Sequence, residues 1–347
     1  MLRSNIVDVL SGVLNLPRVV AGQSCAGPAL VLLAVLTLTP GMAQAADAIA
    51  RQMLSDMHEA TRMLNYDGVF VYQRGDEIDS MRLVHQYADG IEKERLISLT
   101  GAAREVIRNG EMVTCVFADD QAAMVEKSQP RELIGIGFSA PVETLENSYK
   151  FTLAQHDRVA GREAQILVIK PQQDDRYAYQ LWIDVHSKLL LKSVILGEQG
   201  EPLEQVQFTH LEILDAMPEQ RLKPELTGTG LSWQLDDDEP EQAENPAKTP
   251  WQVGWVPQGF SMEDNKVQNM ATSQMPVGHL VYSDGLAMVS VFVEKLMPDI
   301  APMQGYSSRG AVNAFSRVAD QHQITVVGEL PLPTVRRIAG SVVKSNH

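Results

Sequence analysis

Tyr66-Asp67-Gly68-Val69-Phe70-Val71-Tyr72-Gln73-Arg74 is followed by a polar turn around Gly75 and Asp76, then by Met81 to Gln86, a turn at Asp89-Gly90 and the run Glu92 to Arg108. Successive side chains of a strand point to opposite faces, so Val69 and Val71 cover one face and Phe70 and Tyr72 the other. Both faces of this strand are therefore apolar. A sheet with one wet face alternates apolar and polar residues. Here, then, either a second layer covers each side, or one side lines an interior that holds something apolar. A covering helix is the common solution and a bound apolar ligand the sharper one.

Upstream of this stretch, Asp47 can cap a helix running to about Leu64, with Ile49, Met53, Met57 and Ala60 on the face a sheet would cover. Downstream, residues 118–148 hold Gln121 to Glu126, Pro130, Gly135, Gly137 and Pro141, and read as a broken loop with short helical pieces. Five apolar or alternating runs follow: Tyr149 to Gln155, Glu163 to Lys170, Tyr177 to Val185, Leu189 to Leu196 and Leu203 to Leu211. The turns between them are short, which forces antiparallel neighbours, so this block continues the first sheet as a meander. Residues 66–211 thus supply about nine or ten strands, and an open sheet of that size curls strongly. The expected fold is mainly β: a large curled antiparallel sheet, a half-open barrel with helices covering its concave side.

Asp236 to Pro250 contains six carboxylates, three prolines and no large apolar side chain, and reads as an interdomain linker. Beyond it, Trp251, Trp255 and Phe260 flank Pro257-Gln258-Gly259. Strands are expected at His279 to Ser283 and Ala287 to Glu294, then a Met- and Pro-rich loop over 297–306 and a hairpin of Ala311 to Val318 with Ile324 to Leu330. A final helix from about Thr334 to Val343 exposes Arg336 and Arg337. The division is 1–45, 46–235, 236–250 as linker and 251–347 as a smaller α+β domain.

The N-terminus is read as a secretory signal peptide. The apolar run Ala29 to Leu38 is ten residues long, too short to span the roughly 30 Å hydrocarbon core of a bilayer. Ala43-Gln44-Ala45 supplies a cleavage site directly after it, which predicts a soluble exported protein cut near Ala45. Cleavage there removes Arg3, Arg18 and Asp8 and moves the formal charge from −15 to −16. Such an acidic protein is not suited to binding nucleic acid, or anionic membrane faces through broad electrostatics. Cys115 is the only cysteine past the leader, so no intramolecular disulfide forms even in an oxidising compartment.

The sequence holds no His-Glu-x-x-His, Gly-x-Ser-x-Gly, Walker loop, Cys-x-x-Cys or dinucleotide glycine fingerprint, and no catalytic role, cofactor or metal is assigned. His58, His85, His156, His186, His210, His279 and His322 are scattered singly, without a second His or Cys at metal-ligand spacing. What remains is burial. Thirteen of the fifteen methionines lie beyond residue 45, and Met adapts its shape to irregular apolar partners. Each buried methylene of such a partner is worth about 0.8 kcal/mol. The candidate lining residues for an apolar ligand are Phe70, Tyr72, Met81, Leu83, Leu96, Ile97 and Val116. Sequence alone does not separate the two faces of the sheet, and the same residues equally suit contact with the expected helices.

Gly68 to Tyr72, Glu94 to Gly101 and Arg104 to Arg108 resemble the successive N-terminal strands of the MucB/RseB family. Arg158 to Arg162, Tyr179 to Asp184, Leu189 to Ser193, Pro257 to Phe260, Tyr282 to Glu294 and Thr325 to Pro331 are similar to the family in order and spacing, over nearly the whole chain. That resemblance implies a first domain like the lipoprotein-carrier half-barrels and a second, smaller α+β domain. It also implies a periplasmic regulator that binds the periplasmic part of a RseA/MucA-like anti-sigma factor, shields it from the first protease and is released by lipopolysaccharide or a related lipid. Arg309, Arg317, Arg336 and Arg337 are the candidate positive contacts to that partner on an otherwise acidic chain. A periplasmic lipid or lipoprotein carrier is the competing reading, for which the first domain alone would suffice. Homo-oligomerisation is left open.

Overall fold

Among the described residues, three pairs of left-handed residues close hairpins: Asp89-Gly90 (φ 53° and 78°), Ala160-Gly161 (49° and 77°) and Asp320-Gln321 (47° and 60°). Two consecutive residues with positive φ make the two-residue turn whose twist matches that of its flanking strands. The computed structural model describes residues 41–117, 122–127, 142–225, 232–235, 247–269, 275–297 and 301–345. The expected leader falls on residues outside these up to position 40. The expected cleavage site at Ala45 lies inside the first helix, α1 (Gly41–Met63).

After α1 come β1 (Asn65–Arg74), β2 (Glu77–Ala88), β3 (Ile91–Ser98), β4 (Arg104–Asn109), β5 (Met112–Phe117) and β6 (Ala122–Lys127). A short α2 (Val142–Leu145) leads to β7 (Tyr149–Val159), β8 (Arg162–Pro171), β9 (Ala178–Asp184), β10 (Leu190–Leu196) and β11 (Pro202–Leu214). Then follow α3 (Glu219–Leu222) and β12 (Ser232–Leu235). These form one open sheet of twelve strands in the order β12-β6-β5-β4-β3-β2-β1-β11-β10-β9-β8-β7, antiparallel except for the parallel pair of β12 and β6. The second block does not continue from the end of the first, as a simple meander would. Its last strand, β11, pairs with the first strand of all, β1, over Asn65↔Leu214 to Arg74↔Glu204. The strand with two apolar faces is thus central, and β7 and β12 are left as edges.

Residues 122–127 form strand β6, where helical pieces were expected, because they complete the ladder of β5 from Met112↔Lys127 to Phe117↔Ala122. Of the rest of that expected 118–148 segment, 118–121 and 128–141 lie outside the described residues, and 142–145 form the helical turn α2. The helix begins ahead of the expected Asp47 cap. Of its expected inward face, Met57 and Ala60 are buried and Met53 packs against the core, while Ile49 is 55 % exposed; Ala50 and Leu54 join Met57 in the core. Spacing of i, i+4 and i+7 places those three on one stripe, which packs on Tyr149, Phe151, Leu167, Ile169, Tyr179 and Leu181.

The C-terminal part adds β13 (Trp251–Val253), β14 (Ser261–Gln268), β15 (Val277–Ser283), β16 (Met288–Lys295), β17 (Gly305–Arg309), β18 (Val312–Ala319), β19 (His322–Gly328), α4 (Leu332–Ser341) and β20 (Val342–Lys344). Six of the strands make a sheet in the order β14-β15-β16-β19-β18-β17, and β13 pairs with β20 in a separate ribbon. Pro331 precedes α4, whose Val335, Ile338 and Ala339 seat on Leu280, Val291 and Val326 of that sheet. β14 and β17 escape sequence reading because their polar residues, Ser261-Met262-Glu263-Asp264 and Gly305-Tyr306-Ser307-Ser308-Arg309, sit on open edges of the sheet. The expected linker ends early. Val267 N–H donates to the Ala247 carbonyl and Thr249 N–H to Asn265 Oδ1, so 247–250 are held by β14, while 236–246 lie outside the described residues. Residues Gly41–His347 form one compact unit.

Candidate functional site at the covered face and the domain interface

Strand register decides which expected ligand-binding residues share a face. Phe70 pairs with Met81 and Phe208, Gly68 with Leu83, Tyr72 with Val206, and Leu83 with Leu96. Directly paired residues project to the same side of a sheet, so Phe70, Tyr72, Met81, Leu83 and Leu96 lie together. Leu96 pairs on with Val106, and Val106 with Cys115, which extends the same strip to β5. Ile97 and Val116 both pair with Glu105 and therefore face the other way. These two do not belong to the candidate site. Val106 and Cys115, which the sequence did not single out, do, and only the pairing of β3 with β4 could have shown it.

This is the side of the sheet that α1 covers, since Tyr179 and Leu181 follow in register through Ile195 and Ser193. The cover is uneven. Phe70 and Leu83 are fully buried, and Phe70 meets Phe208 edge to face at 5.9 Å between centroids. A Cβ at Gly68 would stand 2.6 Å from the Phe208 ring, so only glycine lets that ring lie across β1. Tyr72, Met81, Leu96, Val106 and Cys115 remain half-buried among the described residues. Between α1 and the sheet a small cavity of about 20 Å³ is lined by Thr61, Tyr66, Leu83, Leu189, Leu190, Phe208 and Leu211. That is room for about one water and not for an acyl chain.

One end of the strip reaches the second domain. The Tyr72 hydroxyl donates to Glu204 Oε2 at 2.7 Å, and the other oxygen, Glu204 Oε1, accepts the Ala311 N–H at 2.9 Å. Burial, and next the bond to Glu204, push the Tyr72 phenol well above its ordinary range. Ala311 sits in the tip of the β17–β18 hairpin beside Gly310. Gly310 has φ of +61°, and a Cβ there would meet Arg74 Cγ and Glu204 Oε1 at 2.5 Å. Arg309, in the same tip, pairs with Glu77 at the start of β2, and Arg74 lies 3.6 Å from that carboxylate. Glu329 is nearby, its carboxyl raised by burial and then by the charge of Glu204.

A second contact lies around Arg176, which is 5 % exposed. Its guanidinium donates to Asp284 Oδ2, to the Gln258 carbonyl at 2.7 Å and to Asp175 Oδ1 at 2.7 Å. It lies over the rings of Tyr149 and Phe260. The Tyr149 hydroxyl donates to the same Asp284 oxygen at 2.9 Å, and Asn313 Nδ2 donates to the Tyr177 hydroxyl at 2.9 Å. The two sheets are therefore joined at two clusters of charge-assisted hydrogen bonds.

The four candidate arginines separate into two kinds. Arg309 is taken up by Glu77, and Arg317 donates to the carbonyls of Ala339 at 2.7 Å and Val342 at 2.8 Å, tying down the end of α4. Arg336 and Arg337 are exposed, as expected, and lie over the rings of Phe315 and Trp255. The histidines read as scattered include one that the β2–β3 hairpin brings to Glu92 and Glu94. The ligand atoms of His85, Glu92 and Glu94 lie within 4.8 Å of one another. Each already has a protein partner: Arg108 stands 3.0 Å from Glu94, whose carboxyl burial raises, and the His85 ring nitrogens meet Glu92 at 3.1 Å and the Leu64 carbonyl at 2.7 Å. This buried cluster reads as a structural ion-pair network between α1 and β3.

Comparison with known proteins adds the following. Residues 49–226 match the family model for the MucB/RseB N-terminal domain, and residues 245–343 that for the MucB/RseB C-terminal domain. The sigma factor AlgU regulatory protein MucB of Pseudomonas aeruginosa is 32 % identical over 90 % of this chain and 96 % of its own length. A chain of the solved Pseudomonas aeruginosa MucA/MucB complex superposes with a TM-score of 0.68 at 29 % identity, covering 86 % of this chain and all of that one. A crystal structure of MucB alone, also 29 % identical, gives 0.60 over 86 % of this chain and 98 % of that one.

Proposed function

This chain belongs to the MucB/RseB family, and from that premise we propose that it is a periplasmic regulator that binds the periplasmic region of a membrane-embedded anti-sigma factor. The observation that carries this reading is the match to a chain solved in the MucA/MucB complex, over the whole of that chain and with both domains present. Bound in this way, the protein would keep the anti-sigma factor from its first protease. The role needs no catalysis, and we assign none.

Release by lipopolysaccharide or a related lipid is the second half of the proposal. The half-buried strip Tyr72, Met81, Leu96, Val106 and Cys115 is the apolar surface such a ligand would use. Because the cavity beneath α1 holds only about one water, an acyl chain would enter at that place only if the cover shifts. Entry beside Tyr72 acts directly on Glu204 and through it on Ala311. A ligand moves an equilibrium only by favouring one arrangement over another, and this contact is where the two arrangements would differ. A passive lipid carrier has no need of a second domain bonded to the rim of its own lipid face.

The test is a calorimetric titration of residues 46–347 with the periplasmic segment of the organism's own anti-sigma factor. We expect saturable one-to-one binding. Absence of binding would remove the regulatory reading and leave the carrier.

A further inference from the structure

The net charge of this protein is not spread evenly. Residues 251–347 hold seven basic and seven acidic residues, so the whole excess of negative charge, −15 in all, lies before them. Within this neutral domain, Arg336 and Arg337 stand side by side on the exposed face of α4, whose opposite face, with Val335, Ile338 and Ala339, is buried. Among the described residues neither arginine has a carboxylate within ion-pair distance. Each guanidinium carbon instead lies over an aromatic ring: Arg337 over Trp255 at 3.7 Å from the centroid, Arg336 over Phe315 at 5.3 Å.

We propose that Arg336 and Arg337 form a pre-set docking pair for an acidic segment of the partner, which on the reading above is the anti-sigma factor. A guanidinium held over a ring still has N–H donors with which to meet a carboxylate in two-point fashion. Stacking also fixes the side chain before the partner arrives, so little rotamer freedom is lost on binding. The rest of the chain repels an acidic peptide, and the neutral domain does not, so the field directs such a peptide to α4. Arg309 and Arg317 take no part, because Glu77 and the end of α4 already occupy them.

The experiment measures fluorescence anisotropy of the labelled periplasmic segment of the anti-sigma factor with the full mature protein, at low and high salt. The proteins are wild type, the double variant R336Q/R337Q and the charge reversal R336E/R337E, each checked for wild-type thermal unfolding. We expect affinity about tenfold weaker for the neutral pair, weaker again for the reversal, and a flatter salt dependence in both. A segment whose Asp and Glu are changed to Asn and Gln should lose affinity for wild type and lose little more for R336Q/R337Q. Wild-type binding with unchanged affinity and salt dependence in R336Q/R337Q would overturn the docking pair and leave the regulatory reading standing. No binding by wild type would overturn both.

Discussion

Arg176 donates to three partners, Asp175, Gln258 and Asp284, on two domains while buried, so its loss leaves the buried Asp284 carboxylate without its cation. Breaking a buried charge pair by removing one partner costs about 3–5 kcal/mol. Arg176→Ala should lower the stability of the protein by that order in urea denaturation, and a loss below about 1 kcal/mol would show that water reaches the site. Glu329 provides a pH test. Burial and Glu204 raise its carboxyl in the folded state. The stability this group contributes is therefore complete below the unfolded carboxylate pKa and is lost as pH rises through the folded value. Glu329→Gln should be more stable than wild type at neutral pH, with the difference fading in acid; a constant difference across that range would contradict the assignment. Leu96 and Ile97 are neighbours, both half-buried, on opposite faces. Leu96→Gln should weaken lipopolysaccharide binding in a fluorescent-displacement assay, and Ile97→Gln should leave it near wild type.

At the scale of elements, Gly310 sets how closely the β17–β18 hairpin seats on the rim of the large sheet. Gly310→Ala adds a Cβ into Arg74 and Glu204 in a backbone region that disfavours it, so the hairpin must lift. Faster cleavage by a limiting protease near β17 is expected, with β1–β11 still folded by far-ultraviolet circular dichroism; an unchanged cleavage rate would contradict the close seating. Much of the element pattern was legible in the sequence. Val69 and Val71 against Phe70 and Tyr72 announced a strand with two apolar faces, of which Phe70 is buried and Val69 and Val71 half-buried, and Asp89-Gly90 and Ala160-Gly161 announced their turns. The order of the sheet was not legible, since pairing β11 with β1 is a contact between residues about 140 apart that no local pattern encodes. The conflict between Leu96 and Ile97 was legible, since neighbours in one strand point to opposite faces. The parity of Val116 was not, because the break at Leu99 to Ala103 between β3 and β4 hides the count. The polar edge strands β14 and β17 lacked the apolar alternation by which strands are recognised.

At the scale of the whole molecule, the apolar strip, Tyr72, Glu204 and the Ala311 amide form one connected path from the covered face of the large sheet to the second domain. Coupling between two sites is a free energy and works in both directions. Lipid that weakens the hold on the anti-sigma factor must itself bind less well when that partner is present. The most direct test follows the labelled periplasmic segment of the anti-sigma factor by anisotropy on the mature protein while lipopolysaccharide is added, with Tyr72→Phe in parallel. The account predicts that lipopolysaccharide releases the segment from wild type, and that Tyr72→Phe binds the segment but requires more lipid to let it go. Affinity for the segment that does not change at any lipid concentration would contradict the account.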